Sequence, residues 1–256
     1  MLTRAALKWT FLVAPLALTF PLAHADPVRV TEQVTVIVDG DTVILGNGDK
    51  IRYVGVDTPE RDEPLYDEAT AYNRKMVFGK NVSIWSCTAR PYDKHARRLA
   101  TLKMGNLDVS VEMVRAGLGR VFTDSSCMDD EKIEESWKAA LEALKARRGI
   151  WKDIGDAPAS ADDANTLIEK NGWVRGTVRS VHVGEKATHV NFGANWRNDF
   201  TATVFKEDRA RFKDAGVALD NSLVGKTLTV FGHVTKRNGP NMILQSPVQI
   251  LPTDPN

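Results

Sequence analysis

The stretch Val36-Ile-Val-Asp-Gly-Asp-Thr-Val-Ile-Leu-Gly-Asn-Gly-Asp-Lys-Ile-Arg-Tyr-Val-Gly-Val-Asp-Thr-Pro-Glu60 decides the fold. Its β-branched residues predict strands, the first over Glu32–Asp39. Asp41–Gly46 and Lys50–Val56 flank Asn47-Gly48, a dipeptide suited to the tight turn of a hairpin. With those two residues at the centre of the turn, opposed positions sum to about 95. Asp41 is then expected opposite Val54, and Val43 opposite Arg52. Strand alternation puts Asp41 and Arg52 on one face. Asp57 stands where the same hairpin opens.

Outward from this hairpin, Leu65–Gly79 predicts a helix stopped by glycine. Asn81–Cys87 and Arg97–Met104 predict further strands, and Leu107–Ala116 a helix closed by Gly117. Glu131–Arg148 predicts a longer amphipathic helix, with Ile133, Trp137, Leu141 and Leu144 at helical spacing. Asp153–Asn165 is small, polar and acidic, and with its flanks (152–171) predicts a linker. From Trp173 onward the β texture returns in Val174–Val183, Thr188–Phe192, Phe200–Phe205, Thr227–Val234 and Met242–Leu251. Lys206–Asp214 predicts a short helix between strands. The expected organisation is a first unit over 26–151 and a second, β-rich unit over 172–256.

Composition bounds the rest. A chain of 256 residues with 43% apolar content and a net charge of +1 buries a core, which excludes whole-chain disorder. The first 25 residues carry Arg4 and Lys8, an apolar run broken by Pro15 and Pro21, and Ala23-His24-Ala25. That is the pattern of a cleaved signal peptide rather than a membrane span. Its removal leaves 32 basic against 33 acidic side chains, a net charge of −1. The expected destination is export, periplasmic or secreted, without a membrane span. Cys87 and Cys127 are the only cysteines. In an oxidising compartment they are expected to pair, and neither has a neighbour at zinc-ligand spacing.

The residues gathered by the hairpin suggest hydrolytic chemistry. Asp41 and Asp57 are hard oxygen donors without imidazole or thiolate company, which suits Ca²⁺ or Mg²⁺ rather than zinc. Arg52 and Arg97 offer planar forks of donors matched to phosphate oxygens. Glu60, beyond Pro59, is a carboxylate able to take a proton from water. A cation with two guanidiniums offsets the charge that builds on a five-coordinate phosphorus, so the set suffices for phosphodiester hydrolysis. Each element alone reads as a turn, a helix start or a surface charge pair; their order and spacing carry the argument.

Asp39-Gly-Asp-Thr42, Arg52–Glu60, Asp93-Lys-His-Ala-Arg97, Met113-Val-Arg-Ala-Gly-Leu-Gly119 and Gly149-Ile-Trp151 together resemble the staphylococcal-nuclease-like (thermonuclease) family. The resemblance spans residues 33–151. It implies a five-stranded OB-type barrel with three helices, of the α+β, mainly β class. It also implies calcium-dependent endonuclease activity on DNA and RNA leaving 3′-phosphates. By position, Asp41, Asp57 and the Thr58 carbonyl resemble the calcium ligands, and Asp39 their support. Arg52 and Arg97 resemble the phosphate-binding arginines, and Glu60 the general base. Lys94 and His95 fall at substrate-binding positions. His95-Ala96 replaces the family's Tyr-Gly, and the family's nucleotide-stacking tyrosines are replaced near Thr123 and Ser125. These departures motivate a competing reading, a catalytically weak or inactive nucleic-acid- or protein-binding module.

The second unit runs as five strands with a connector before the fourth, which suggests another OB-like barrel. Arg175, Arg179, Lys186, Arg197, Lys236 and Arg237 with Trp196 form either a basic, aromatic strip for single-stranded nucleic acid or a solvated surface. The plainer reading makes Phe192, Phe200 and Phe231 the core of that barrel. A monomer is expected.

Overall fold

The computed structural model describes residues 29–124 and 126–251. The segment expected to be a signal peptide lies outside them. Among the described residues no helix is long and apolar enough to cross a membrane.

The first unit begins with β1 (Arg29–Ile37), β2 (Thr42–Leu45), β3 (Lys50–Tyr53) and β4 (Gly55–Asp57). Helix α1 (Tyr66–Val77) leads to β5 (Asn81–Ser86), β6 (Arg98–Met104) and the short β7 (Leu107–Asp108). Helix α2 (Val109–Arg115), β8 (Arg120–Phe122) and α3 (Asp130–Lys145) complete it. The strand order β3-β2-β1-β5-β6 is closed by parallel pairing of β3 with β6, which leaves the five-stranded barrel no open edge. The expected barrel with three helices is therefore present.

Side-chain alternation fills the barrel with Val34, Val43, Leu45, Ile51, Tyr53, Ile84 and Leu102, all buried. Helix α3 is capped by Asp129, whose carboxylate accepts from the Lys132 N–H. It lays Ile133, Trp137, Ala140 and Leu144 into the same core. Lys132, at the start of that helix, is almost wholly buried and pairs with Asp108 at 2.7 Å. Burial pulls its pKa down, and Asp108 opposes that shift.

The hairpin register is displaced by one residue from expectation. Thr42 faces Arg52 and Val43 faces Ile51. The cause is the loop, which has three residues rather than two: Leu45 N–H donates to the Asp49 carbonyl around Gly46-Asn47-Gly48. Gly48 takes φ +90°, the left-handed residue such a loop requires.

The second unit contains β9 (Ala159–Ser160), β10 (Lys170–Thr177), β11 (Ser180–Val183), β12 (Ala187–Asn191) and β13 (Thr201–Phe205). After helix α4 (Arg209–Asp214) come β14 (Thr227–Arg237), β15 (Gly239–Ile243) and β16 (Ile250–Leu251). Its strands run β11-β12-β13-β15-β14-β10-β9. Two residues, Val178 and Arg179, join β10 near one end of that path to β11 at the other. The sheet must therefore curl back on itself, as an OB-like barrel does.

Two sequence expectations need correction here. The segment 152–171 is not all linker. Residues 159–160 pair in parallel with β10, and the 3-10 turn Ala161–Leu167 buries Ala161 and Ala164 in the second core. Its alanines, read as linker composition, are core residues of a tight turn. Phe192 and Phe200 do pack in the second barrel, 5.2 Å apart. Phe231 does not: it is fully buried in the first unit's core, edge-on to Trp137 (5.8 Å) and Trp151 (5.9 Å). The two units share one hydrophobic seam, reinforced by Ser246 donating to Glu134 at 2.5 Å and by the Arg211–Asp130 ion pair.

Candidate functional site

The bend Asp39–Asp41, ahead of β2, carries the centre of the site. Alternation along the observed register would put Asp41 and Arg52 on opposite faces. They meet because Asp41 sits in the bend, outside the pleat, with Arg52 Nε 3.0 Å from Asp41 Oδ1. The bend is pinned from below. The Asp39 carboxylate accepts from the Asp41 N–H, and the Asp39 carbonyl accepts from buried Asn73. Asn73 in turn accepts from the Tyr53 hydroxyl at 2.9 Å. Gly40 is needed at the top of the bend, since a Cβ there would lie 2.7 Å from Thr58 Oγ1 and 2.9 Å from Ala69 Cβ.

That close approach brings Thr58 to Asp41. Both the Thr58 N–H and its hydroxyl donate to Asp41 Oδ2 at 3.0 Å, and Thr42 donates to Oδ1. Asp41 is 5% exposed. Burial raises its pKa to about 6 even though Arg52 opposes the shift. Burial thus disfavours the charged form of this carboxylate, while Arg52 and the Thr58 and Thr42 donors favour it.

Arg52 is the hub. One Nη donates to the Tyr53 and Val56 carbonyls at 2.6 and 2.7 Å, and the other pairs with Asp57 at 3.0 Å. Every donor so fixed holds the guanidinium still, as phosphate recognition requires. Asp57 is shared with Arg120, which reaches its Oδ2 through Nε and Nη2 at 2.9 and 2.7 Å.

Arg97 arrives on the loop after Pro91. Asp93 organises that loop: its Oδ1 accepts from the His95 and Arg97 N–H groups, and its Oδ2 accepts from Arg97 Nε at 2.7 Å. Against desolvation, the Arg97 and His95 donors hold the Asp93 carboxyl below its ordinary range. Arg97 Nη1 then donates to Thr42 Oγ1 at 3.3 Å, one residue from Asp41. Asp39, Asp41, Thr58, Arg52, Asp57 and Arg97 are thus brought together. Lys94 and His95 are exposed on the loop next to Arg97. Ala96 takes φ +57°, a conformation glycine adopts without strain. The sulfurs of Cys87 and Cys127 are joined, their Cα atoms 5.0 Å apart.

Glu60 is exposed and lines a cleft of about 770 Å³ with Asp57, Thr58 and Arg120. The opposite wall comes from the second barrel: Glu169, Lys170, Asn171 and His233. Arg120 Nη1 lies 3.0 Å from His233 Nε2. Burial first, then the Arg120 charge, pulls the His233 pKa down. The neutral imidazole accepts from the guanidinium through that nitrogen.

Several contributors escaped the sequence reading. Asp93 stood inside a quoted segment and Arg120 directly after one, and their spacing to Arg97 and Gly119 was the available signal. Asn73 looked like an ordinary helix residue. His233, more than a hundred positions from the site, left no local signal.

Donor chemistry decides whether a divalent cation fits. Asp41 and Asp57 offer carboxylate oxygens, brought together on the Arg52 guanidinium, and Thr58 offers a carbonyl, all hard donors. Among the described residues no cluster of three or more His, Cys, Asp or Glu side chains stands ready for a metal. An ion here would complete its coordination with water.

Comparison with known proteins agrees with this geometry. The sequence profile of the family described as "Staphylococcal nuclease homologue" matches residues 50–153. A "Probable endonuclease LCL3" of Meyerozyma guilliermondii is 36% identical over 110 residues, covering 40% of this chain and 48% of that protein. The "Thermonuclease" of Staphylococcus intermedius is 30% identical over 126 residues, covering 45% of this chain and 73% of that one. The "SPbeta prophage-derived endonuclease YokF" of Bacillus subtilis is 28% identical over 127 residues, 46% of this chain and 43% of that protein. The chain spans about half the length of the fungal relatives it matches. None of these matches extends over the whole chain. With its closed barrel, its Asp41–Arg52–Asp57 hub and these relatives, the chain belongs to the family of staphylococcal nuclease homologues.

Proposed function

We propose that the protein is a calcium-dependent nuclease that hydrolyses phosphodiester bonds of DNA and RNA, leaving 3′-phosphates. The observation that carries this reading is the hub itself: Arg52 fixed by two carbonyls and two carboxylates, with Arg97 held in reach through Thr42. Names of relatives, "Thermonuclease" and "Probable endonuclease", support it.

Asp41, Asp57 and the Thr58 carbonyl would hold Ca²⁺, which when bound supplies positive charge beside the scissile phosphate. Arg52 and Arg97 would supply positive charge and their remaining guanidinium hydrogens to phosphate oxygens, and their fixed geometry favours the more highly charged transition state. Glu60, ion-paired to no group among the described residues, is free to accept a proton from water in the cleft. Asp93 positions Arg97 without reaching the cleft itself. The signal-like leader supports export to the periplasm or medium, with the chain acting as a monomer. Lys94 and His95, exposed beside Arg97, would meet phosphates beyond the reacting one.

Degradation of plasmid and RNA in Ca²⁺ against a chelator tests the reading. Calcium-stimulated cleavage, reduced at least about 100-fold in Arg52→Ala, is expected. Cleavage that ignores chelation, or that Arg52→Ala leaves intact, overturns it. Oligonucleotide binding without turnover by the wild-type chain would favour the binding-module reading instead.

A further inference from the structure

Pairing across the second barrel's sheet sorts its residues into two faces. Ser180, Asn191, Thr201 and Asn241 lie in one cross-strand row, and His182, His189 and Thr203 in the next row of the same face. The alternate positions, Val190, Ala202, Val204 and Met242, fill the core. A face turned away from a core is ordinarily exposed. Here Asn191, Thr201, Thr203 and Asn241 are nonetheless buried, at 7%, 8%, 0% and 4% exposure.

These side chains form a built polar floor. Asn191 accepts from Thr201 and donates to Ser180, and Asn241 donates to the Thr201 carbonyl and to Thr203 Oγ1. His189 Nδ1 lies 3.2 Å from that same Thr203 hydroxyl. Asn241 Oδ1, fully buried, has no hydrogen-bond partner among the described residues. A buried amide oxygen left unpaired is costly and marks a place where a donor belongs. The floor belongs to a cavity of about 700 Å³, whose rim carries Trp196 and Arg237.

The rim has the complementary chemistry. Trp196 is 52% exposed, with the Arg197 guanidinium 4.5 Å over its ring. His182 and His189 lie parallel, with 10° between their planes. Burial, then His182 and the two nearby arginines, pulls the His189 pKa down, so this imidazole offers a neutral, flat surface. A flat ligand bearing hydrogen-bond donors and a pendant anion would satisfy floor, rings and guanidiniums together.

We infer that this cavity is a second binding site, receiving an unpaired base of single-stranded nucleic acid, with Trp196 stacking on it and Arg237 meeting the adjoining phosphate. The choice of nucleic acid rests on the nuclease reading; the recess and its unpaired amide do not. The seam around Phe231 packs the barrel that carries this site against the first barrel.

The test uses the full chain with chelator present, so that nothing is cleaved. Anisotropy of a fluorescein-labelled single-stranded octanucleotide measures affinity, and a 5-iodouracil version maps contacts by photo-crosslinking. Expected results are a tenfold or greater loss of affinity in Trp196→Ala and in Arg237→Ala, with less than threefold loss in Lys145→Ala, an exposed control at the end of α3. Crosslinks should fall on the peptides around 180–197, and a duplex of the same sequence should bind at least tenfold more weakly. Absence of binding, unchanged affinity in both rim variants, crosslinks confined to the first barrel, or equal duplex affinity overturns the inference. So does occupation of the cavity by unstructured peptides in preference to the oligonucleotide. Cleavage by the same variants in Ca²⁺ is read separately. Loss of the nuclease reading and loss of this site are therefore distinguishable.

Discussion

Arg120 Nη1 and His233 Nε2 stand 3.0 Å apart, and through that contact the second barrel reaches a carboxylate at the centre of the first. Arg120 also binds Asp57 through two nitrogens, so a histidine on β14 helps aim a side chain that faces the cleft. Removing Arg120 forfeits charge-assisted bonds of about 1.5–3 kcal/mol, or roughly 10–100-fold in kcat/KM. Arg120→Ala, assayed well below its melting transition, is expected to show that loss, and His233→Ala a smaller loss in the same direction. Steady-state cleavage of a short labelled strand checks both. Wild-type kinetics in Arg120→Ala would mean that Arg52 alone suffices to hold Asp57.

Phe231 fills the seam between the barrels, edge-on to Trp137 and Trp151. Truncating a fully buried phenylalanine costs about 3–5 kcal/mol. Phe231→Ala should lower stability by that amount while the halves lose their common cooperative transition. Urea unfolding followed by tryptophan fluorescence and by circular dichroism will show two non-coincident transitions in the variant. A single unchanged transition would mean the seam contributes little.

Ala96 occupies φ +57°, where a Cβ is disfavoured by roughly 1–2 kcal/mol. Ala96→Gly relieves that strain but adds freedom to the unfolded chain, which offsets part of the gain. A net stabilisation of about 0.5–1 kcal/mol is expected, measured as a shift in the denaturation midpoint. Destabilisation would show that the loop depends on the methyl group.

Asp208 is buried beside Arg211, with Glu207 and Asp130 close by, and burial raises its pKa from 3.8 to about 6. Between those values the folded state holds more proton than the unfolded state. The stability contributed by this group is therefore full below about pH 4 and lost as pH rises to about 6. At about 1.36 kcal/mol per pKa unit the loss is at most about 3 kcal/mol. Asp208→Asn should remove this slope, seen as a wild-type minus variant difference that falls between pH 4 and 6. Urea titrations at several pH values check it, and a constant difference across the range would refute it.

The bond between Cys87 and Cys127 closes a loop of forty residues and ties the end of β5 to the approach of α3. Chain-entropy arguments give such a loop about 4 kcal/mol. Reduction, or Cys87→Ala with Cys127→Ala, is expected to cost a comparable amount, read from chemical denaturation with and without reductant. Indifference to reductant would point to unbridged thiols.

Much of the first barrel was legible because its signals are local. Apolar alternation marked the strands, helical spacing marked Ile133, Trp137 and Leu144, and carboxylates and arginines in a recognisable order marked the site. The hairpin register was not legible, because a three-residue loop and a two-residue loop share the same Asn-Gly and differ only in which residues close them. That single position decides which face every side chain takes, and Asp41 met Arg52 only because a bend released it from the pleat.

Sequence by itself determined most of the elements and the chemical types at the site, since these depend on spacing within a few dozen residues, and the first barrel followed from the family resemblance those motifs carry. Tertiary structure alone decided that Phe231 belongs to the other unit's core, that Asn73 props up the Asp39–Asp41 bend, and that His233 backs Arg120. Those pairings join residues dozens to more than a hundred positions apart. Nothing in local periodicity specifies them, because they arise only when two finished surfaces pack together and exclude water.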